Sequence, residues 1–179
     1  EKIIPDIASR KNLENIKIWS SACSTGDEPY TVVMILNEFI PLKHIKVLAT
    51  DIDVEAMNKA KKGIYHVRSV RELPKKFLDK HFKRIDENNY QISQEVRNCV
   101  EFKQINLLRD PYPRDIDIII CRNVLIYFTE EAKDMVFTEF SKSLTKDGIL
   151  FIGSTEQIMN YHNYGLKPIA TFFYKKTEG

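Results

Sequence analysis

The sequence predicts an α/β fold: a mostly parallel sheet with helices on both faces and a small inserted β-subdomain. Three observations carry the prediction. Short runs of β-branched and aromatic residues alternate with helical patterns along 179 residues, the order that layered α/β domains require. One run, DIDIIICR, is almost continuously apolar, as a strand covered on both faces has to be. The alternation breaks once, over residues 64–99, where helical fragments and a hairpin pattern separate two regular stretches.

Each element has its own signal. IKIWSSA, Ile16 to Ala22, reads as a buried strand because β-branched and aromatic residues fill it and small residues end it. EPYTVVMILNEF reads as a helix. Pro29 suits a first turn, Asp27 and Glu28 suit the positive end of the helix dipole, and Val32, Val33, Leu36 and Ile40 keep helical spacing. IKVLATDI, Ile45 to Ile52, is a second strand, and VEAMNKAKKG is a helix stopped by Gly63. Within 64–99, LPKKFLDKHF carries helical fragments, and the Asp-Glu-Asn-Asn turn before YQISQEV predicts a small hairpin. VEFKQI and DIDIIICR follow as strands, EEAKDMVFTEFSKSLT as a helix, and GILFIGST and ATFFYKK as the last two strands.

Composition bounds the function. With 43% hydrophobic and 29% charged residues, the chain has the balance of one ordinary globular domain, able to bury a core without disulfides or metal. Lys and Arg number 27 against 25 Asp and Glu, a net charge of +2, which gives no electrostatic reason to expect nucleic acid. The local basic clusters KAKKG and LPKKF read as solvated helix faces or as a docking surface for an acidic partner. Cys23, Cys99 and Cys121 lie far apart and form no CxxC pair, so neither a disulfide framework nor a zinc site is indicated, and no metal is expected. No apolar run is long enough to span a membrane, and the N-terminus has no signal-peptide core. A cytoplasmic monomer without membrane insertion is the expectation.

In sheets of this kind, ligands sit beyond the carboxyl ends of the strands. That rule selects Ser24 to Glu28, Asp51 to Asp53, Asn106 to Leu107 and Arg122 to Tyr127. The first turn holds one glycine where a dinucleotide fingerprint holds three, which argues against a pyrophosphate and an NAD-linked reaction. Small residues from Ala22 through Ser24 to Gly26 permit close approach to the backbone, while Asp27 or Glu28 would repel a phosphate. Asp51 ends the second strand about 25 residues after Gly26, where a carboxylate can accept both hydroxyls of a ribose. Asp51 is also readable as a turn residue, although Asp53 already stands where a helix cap is needed. Asn106 is readable as a turn amide, Tyr127 as a packing aromatic, and Asn123 as an amide that must find partners after a buried strand. An adenosine-bearing ligand without phosphates fits these loops, and S-adenosylmethionine answers that description.

SACSTGDEPYT, LATDID, GIY, the NLL at Asn106 to Leu108, CRNVLIYF and DGILFIGSTE, in this order and spacing, resemble the CheR family of chemotaxis receptor glutamate O-methyltransferases from about Ile16 to Tyr174. The resemblance implies a Rossmann-like, class I methyltransferase fold that uses S-adenosylmethionine, releases S-adenosylhomocysteine, and esterifies glutamates on the cytoplasmic domain of methyl-accepting chemotaxis receptors. It implies cofactor contacts from Ala22, Ser24, Gly26, Glu28, Asp51, Ile52, Asn106, Leu107, Arg122 and Asn123. Glu28 would face the methionine moiety, Asp51 the ribose, Asn106 and Leu107 the adenine region, and Arg122 and Asn123 the methionine end near the sulfonium. Tyr127 would border the substrate and, with Arg122, form the candidate catalytic pair.

The family's helical N-terminal domain and its FFR-type linker are not in this sequence, which starts at EKIIPDI. Turnover by the chain alone is therefore an open expectation, beside a cofactor-binding module without turnover and a methyltransferase for another protein carboxylate. Residues 64–99 fall where the family inserts a β-subdomain that can dock a receptor tether. The short KRIDENNYQI turn predicts weak or absent tether binding.

Overall fold

The structure, a computed structural model, describes residues 3–9, 11–154 and 156–177. The chain divides into two compact units, residues 1–22 with 105–179 and residues 23–104.

The first unit begins with helix α1 (Ile3–Ala8) and strand β1 (Ile18–Ser20). The strand is three residues long rather than the seven of the run Ile16 to Ala22: it starts at Ile18 and stops at Ser20, leaving Ser21 and Ala22 outside. The unit resumes with β7 (Ile116–Cys121), α6 (Glu130–Ser143), β8 (Leu144–Ile152), β9 (Leu166–Ala170) and β10 (Phe173–Lys176). β1 pairs parallel with β7 and β7 parallel with β8, whereas β8 and β9 both pair antiparallel with β10. β7 is buried along its whole length, as its apolar run requires. Its one acid, Asp117, is satisfied there. The carboxylate accepts the Lys17 N–H at 2.8 Å, the Thr145 hydroxyl at 3.1 Å and the Lys11 ammonium at 2.7 Å. Trp19, fully buried, meets Tyr112 and Phe140 edge-on at 5.2 and 5.5 Å.

β8 starts at Leu144, four residues before the expected Gly148. It passes through Asp147 at φ 62°, and its register on β7 shifts between Ile116 and Ile118. An Asp-Gly pair that reads as a loop is here an irregularity inside a strand. β9 is an edge strand that the sequence pattern misses, because Pro168 argues against a strand unless the strand lies at an edge.

The second unit contains α2 (Asp27–Leu36), β2 (Val47–Asp51), α3 (Val54–Lys62), β3 (Ile64–His66), α4 (Lys75–His81), β4 (Phe82–Arg84), β5 (Asn89–Ile92), α5 (Gln94–Arg97) and β6 (Val100–Gln104). β2 and β6 run parallel. Within 64–99 lies a small antiparallel sheet, with β5 paired to both β3 and β4. The hairpin turn is built as the sequence predicts: the Asp86 carboxylate accepts from the Asn88 N–H and the Asn89 amide, and Arg84 reaches back to the Asp86 and Glu87 carbonyls. The core of this unit centres on Tyr30, whose hydroxyl donates to the Ala60 carbonyl at 2.9 Å and whose ring meets Tyr65 and Phe102 edge-on.

Candidate functional site

In the unit 23–104 the first loop is held by backbone geometry. Ser24 at φ 45° and Gly26 at φ 88° are both left-handed, which is strained for serine and natural for glycine. A Cβ on Gly26 would stand 2.8 Å from the Ala60 Cβ, so the loop also packs too closely there for any side chain. The Tyr65 hydroxyl fastens the loop by donating to the Thr25 carbonyl at 2.9 Å. The sequence gives no sign of that bond, because it joins residues of separate elements.

Asp51 and Asp53 divide their work. Asp53 caps α3, its Oδ1 accepting from the Glu55 and Ala56 N–H groups. The Asp51 carboxylate joins the two loops. Its Oδ2 accepts the Ser24 N–H at 2.7 Å and its Oδ1 the Asp53 N–H at 2.9 Å. An ionised carboxylate offers about four lone-pair directions, so two acceptor directions remain on this half-buried side chain. Beside it Ile52 presents an apolar side chain that is 59% exposed. Of the two acids that open α2, Asp27 is engaged by the Thr25 hydroxyl at 2.5 Å, and Glu28 is half-buried. The Cys23 thiol is pushed up to about 12, first by burial and then by the Asp51 charge, so it stays protonated and is no nucleophile near neutrality. Cys99 and Cys121 are likewise buried and form no disulfide among the described residues.

The other unit holds the remaining candidates. Asn106 is half-buried and its side chain accepts the Leu108 N–H at 2.9 Å, the turn-amide arrangement. Leu107 is buried, and its carbonyl takes the Tyr112 hydroxyl at 2.7 Å. Ala22, half-buried, follows β1. Past β7 the chain turns at Asn123, which is exposed and left-handed at φ 58°. The Arg122 guanidinium lies over the Phe151 ring, 5.5 Å from its centroid, and that ring stacks on Phe173 at 4.2 Å. Tyr127 closes a single 3-10 turn (Leu125–Tyr127) and is 79% exposed.

The residue that orders this second loop is one that the sequence reading did not single out. Glu156, 6% exposed, accepts four backbone N–H groups. They are Asn123 at 2.9 Å, Val124 at 2.9 Å, Leu125 at 2.7 Å and Gly153 at 3.0 Å. It closes the motif DGILFIGSTE, but nothing local shows its role: an acid three residues past Gly153, behind a buried strand, reads as an ordinary turn residue.

Residues 1–171 match the family model described as CheR methyltransferase, SAM binding domain. The chain belongs to the CheR methyltransferase family. A chemotaxis protein methyltransferase of Listeria monocytogenes is 39% identical over 90% of this chain and 62% of its own length. One from Borreliella burgdorferi is 36% identical over 98% and 64%, and one from Escherichia coli 37% identical over 86% and 56%. The chain thus spans just under two thirds of the length of its first curated relatives. Among solved structures, a TehB-like SAM-dependent methyltransferase from Corynebacterium glutamicum aligns over 99% of this chain and 95% of its own, at TM-score 0.54 and 13% identity. PKMT2 from Rickettsia typhi in complex with AdoHcy aligns over 79% and 21%, at TM-score 0.51 and 18% identity. These likenesses establish the Rossmann-like methyltransferase fold of the CheR domain.

Proposed function

We propose that this chain is the cofactor-binding domain of a protein-glutamate O-methyltransferase that modifies the cytoplasmic domain of chemotaxis receptors, and that it works in the cytoplasm. The observation that carries the reading is the family match over residues 1–171, and the Asp51 clip supports it with two acceptor directions still open. The donor set fits S-adenosylmethionine. Carboxylates at Asp51 and Glu28 suit sugar hydroxyls and a cationic head group, and the turn Ser24–Glu28 contains no basic side chain to hold a phosphate.

Bound there, S-adenosylmethionine supplies a methyl group on a sulfonium. Asp51 would accept hydrogen bonds from the ribose hydroxyls, with Ile52 beside it. Asn106 and Leu107 would serve the adenine. Glu28, Arg122 and Asn123 would serve the methionine end, and the small residues Ala22, Ser24 and Gly26 would let the backbone come close. A glutamate side chain has an unperturbed pKa of about 4.3, so near neutrality the attacking carboxylate is already ionised and no general base is needed. What the chain contributes is placement, worth roughly 7–11 kcal/mol when reactants are held in near-attack geometry. The exposed Tyr127 hydroxyl donates to the substrate carboxylate and aims it. Arg122, held over Phe151, positions and is not a proton carrier.

The test is to incubate the chain with labelled methyl donor and chemoreceptor cytoplasmic domains, with the Listeria monocytogenes relative in parallel. Base-labile methyl esters on receptor glutamates are the expected product. A chain that fails to bind S-adenosylhomocysteine while the relative forms esters would overturn the proposal.

A further inference from the structure

Three successive backbone N–H groups, Asn123, Val124 and Leu125, converge on one carboxylate. Successive N–H groups around a left-handed residue form a concavity that attracts an anion. Here the chain fills the concavity with its own acid. We propose that Glu156 is a positioning residue for the methyl-transfer loop: its carboxylate holds Asn123 in the left-handed conformation and sets the start of the turn that carries Tyr127, so that both face their ligands ready-made. The inference rests on the methyltransferase reading above.

The packing leaves little alternative to this arrangement. Gly153 donates to the same carboxylate at 3.0 Å, and a Cβ there would stand 2.5 Å from Glu156 Oε2 and 3.1 Å from Asn123 Oδ1. The loop after β7 and the loop after β8 therefore touch backbone to carboxylate with no room for a further methyl group. Asn123 at φ 58° is left-handed, a conformation that asparagine tolerates better than other non-glycine residues but that its surroundings still have to select. Glu156 makes that selection, because each carboxylate oxygen takes two N–H groups and none is left without an acceptor. Glutamine preserves the shape but replaces one oxygen by an amide that donates, so two of the four N–H groups would face a donor.

The test uses Glu156→Gln and Glu156→Ala beside the unchanged chain, each with a thermal unfolding curve, S-adenosylhomocysteine affinity by calorimetry, and amide NMR shifts of residues 123–125. A folded Glu156→Gln is expected to bind S-adenosylhomocysteine at least about tenfold more weakly, with amides 123–125 shifted. In Glu156→Ala, formate at roughly 0.1 M should restore the amide shifts toward those of the unchanged chain and recover affinity, which a general loss of packing would not allow. Wild-type affinity in Glu156→Gln, or formate that leaves amides 123–125 unmoved in a folded Glu156→Ala, would overturn the inference. Should the unchanged chain bind no S-adenosylhomocysteine, the methyltransferase reading falls, while the formate-dependent amide shifts still decide whether Glu156 orders the loop.

Discussion

Asp51 has two tasks that a single substitution would confuse. It clips Ser24 to Asp53 through two N–H groups, and in the proposed function it also receives a ribose. Replacing it by Asn leaves one N–H facing a donor, and leaving such a group unpaired costs about 1–3 kcal/mol. The ribose task is isolated by ligand chemistry. Asp51→Asn should lose about 1–3 kcal/mol of calorimetric affinity for S-adenosylhomocysteine but little for a 2′,3′-dideoxy analogue, since that ligand has nothing for the carboxylate to accept. Equal losses for both ligands would leave Asp51 only the loop clip. Gly26 is the other residue whose replacement has a definite sign. Alanine there must hold φ near 88° with its Cβ 2.8 Å from the Ala60 Cβ, so Gly26→Ala should lower stability in urea by about 1–3 kcal/mol.

At the scale of elements, α4 ends in a buried histidine, His81, whose ring stacks near Phe77 and whose Nε2 has no hydrogen-bond partner among the described residues. Burial, helped by the neighbouring Lys80 charge and partly opposed by Glu38, holds this imidazole below its ordinary value of 6.5. The unfolded chain therefore takes up a proton at a higher pH than the folded one. Stability should be full above about pH 6.5 and fall as the pH drops from there toward the lower folded value. Urea midpoints measured from pH 7.5 to 5 should show this decline, and His81→Phe should flatten it; an unchanged slope in the variant would assign the decline elsewhere. The elements themselves were legible wherever a local signal decides them. Gly63 stops α3 in a left-handed cap, and the Asp86 turn closes the hairpin. Where tertiary pairing decides, the pattern misled. β1 is cut to three residues, β8 runs back through an Asp-Gly pair, and β9 carries a proline because it is an edge. In the first loop, spacing singles out the acids and small residues as candidates. Glu156 and Tyr65 stand in the motifs DGILFIGSTE and GIY, but their bonds are not legible there, since each acts on backbone groups of a distant segment.

Each of the two units contains a loop held by a carboxylate, Asp51 in one and Glu156 in the other. No helix among the described residues is long and apolar enough to cross a membrane. A ligand that binds only the folded chain raises its stability by about 2.7 kcal/mol at a hundredfold excess over its dissociation constant. S-adenosylhomocysteine should therefore raise the thermal midpoint, while ATP and NAD should leave it unchanged, because a phosphate meets Asp27 and Glu28 in a turn with one glycine. A rise with NAD in place of S-adenosylhomocysteine would revive an oxidoreductase. The most direct test is a crystal structure of the chain with S-adenosylhomocysteine. The account predicts both ribose hydroxyls within about 3 Å of the Asp51 carboxylate oxygens; a ribose held elsewhere, with Asp51 bonded only to Ser24 and Asp53, would contradict it.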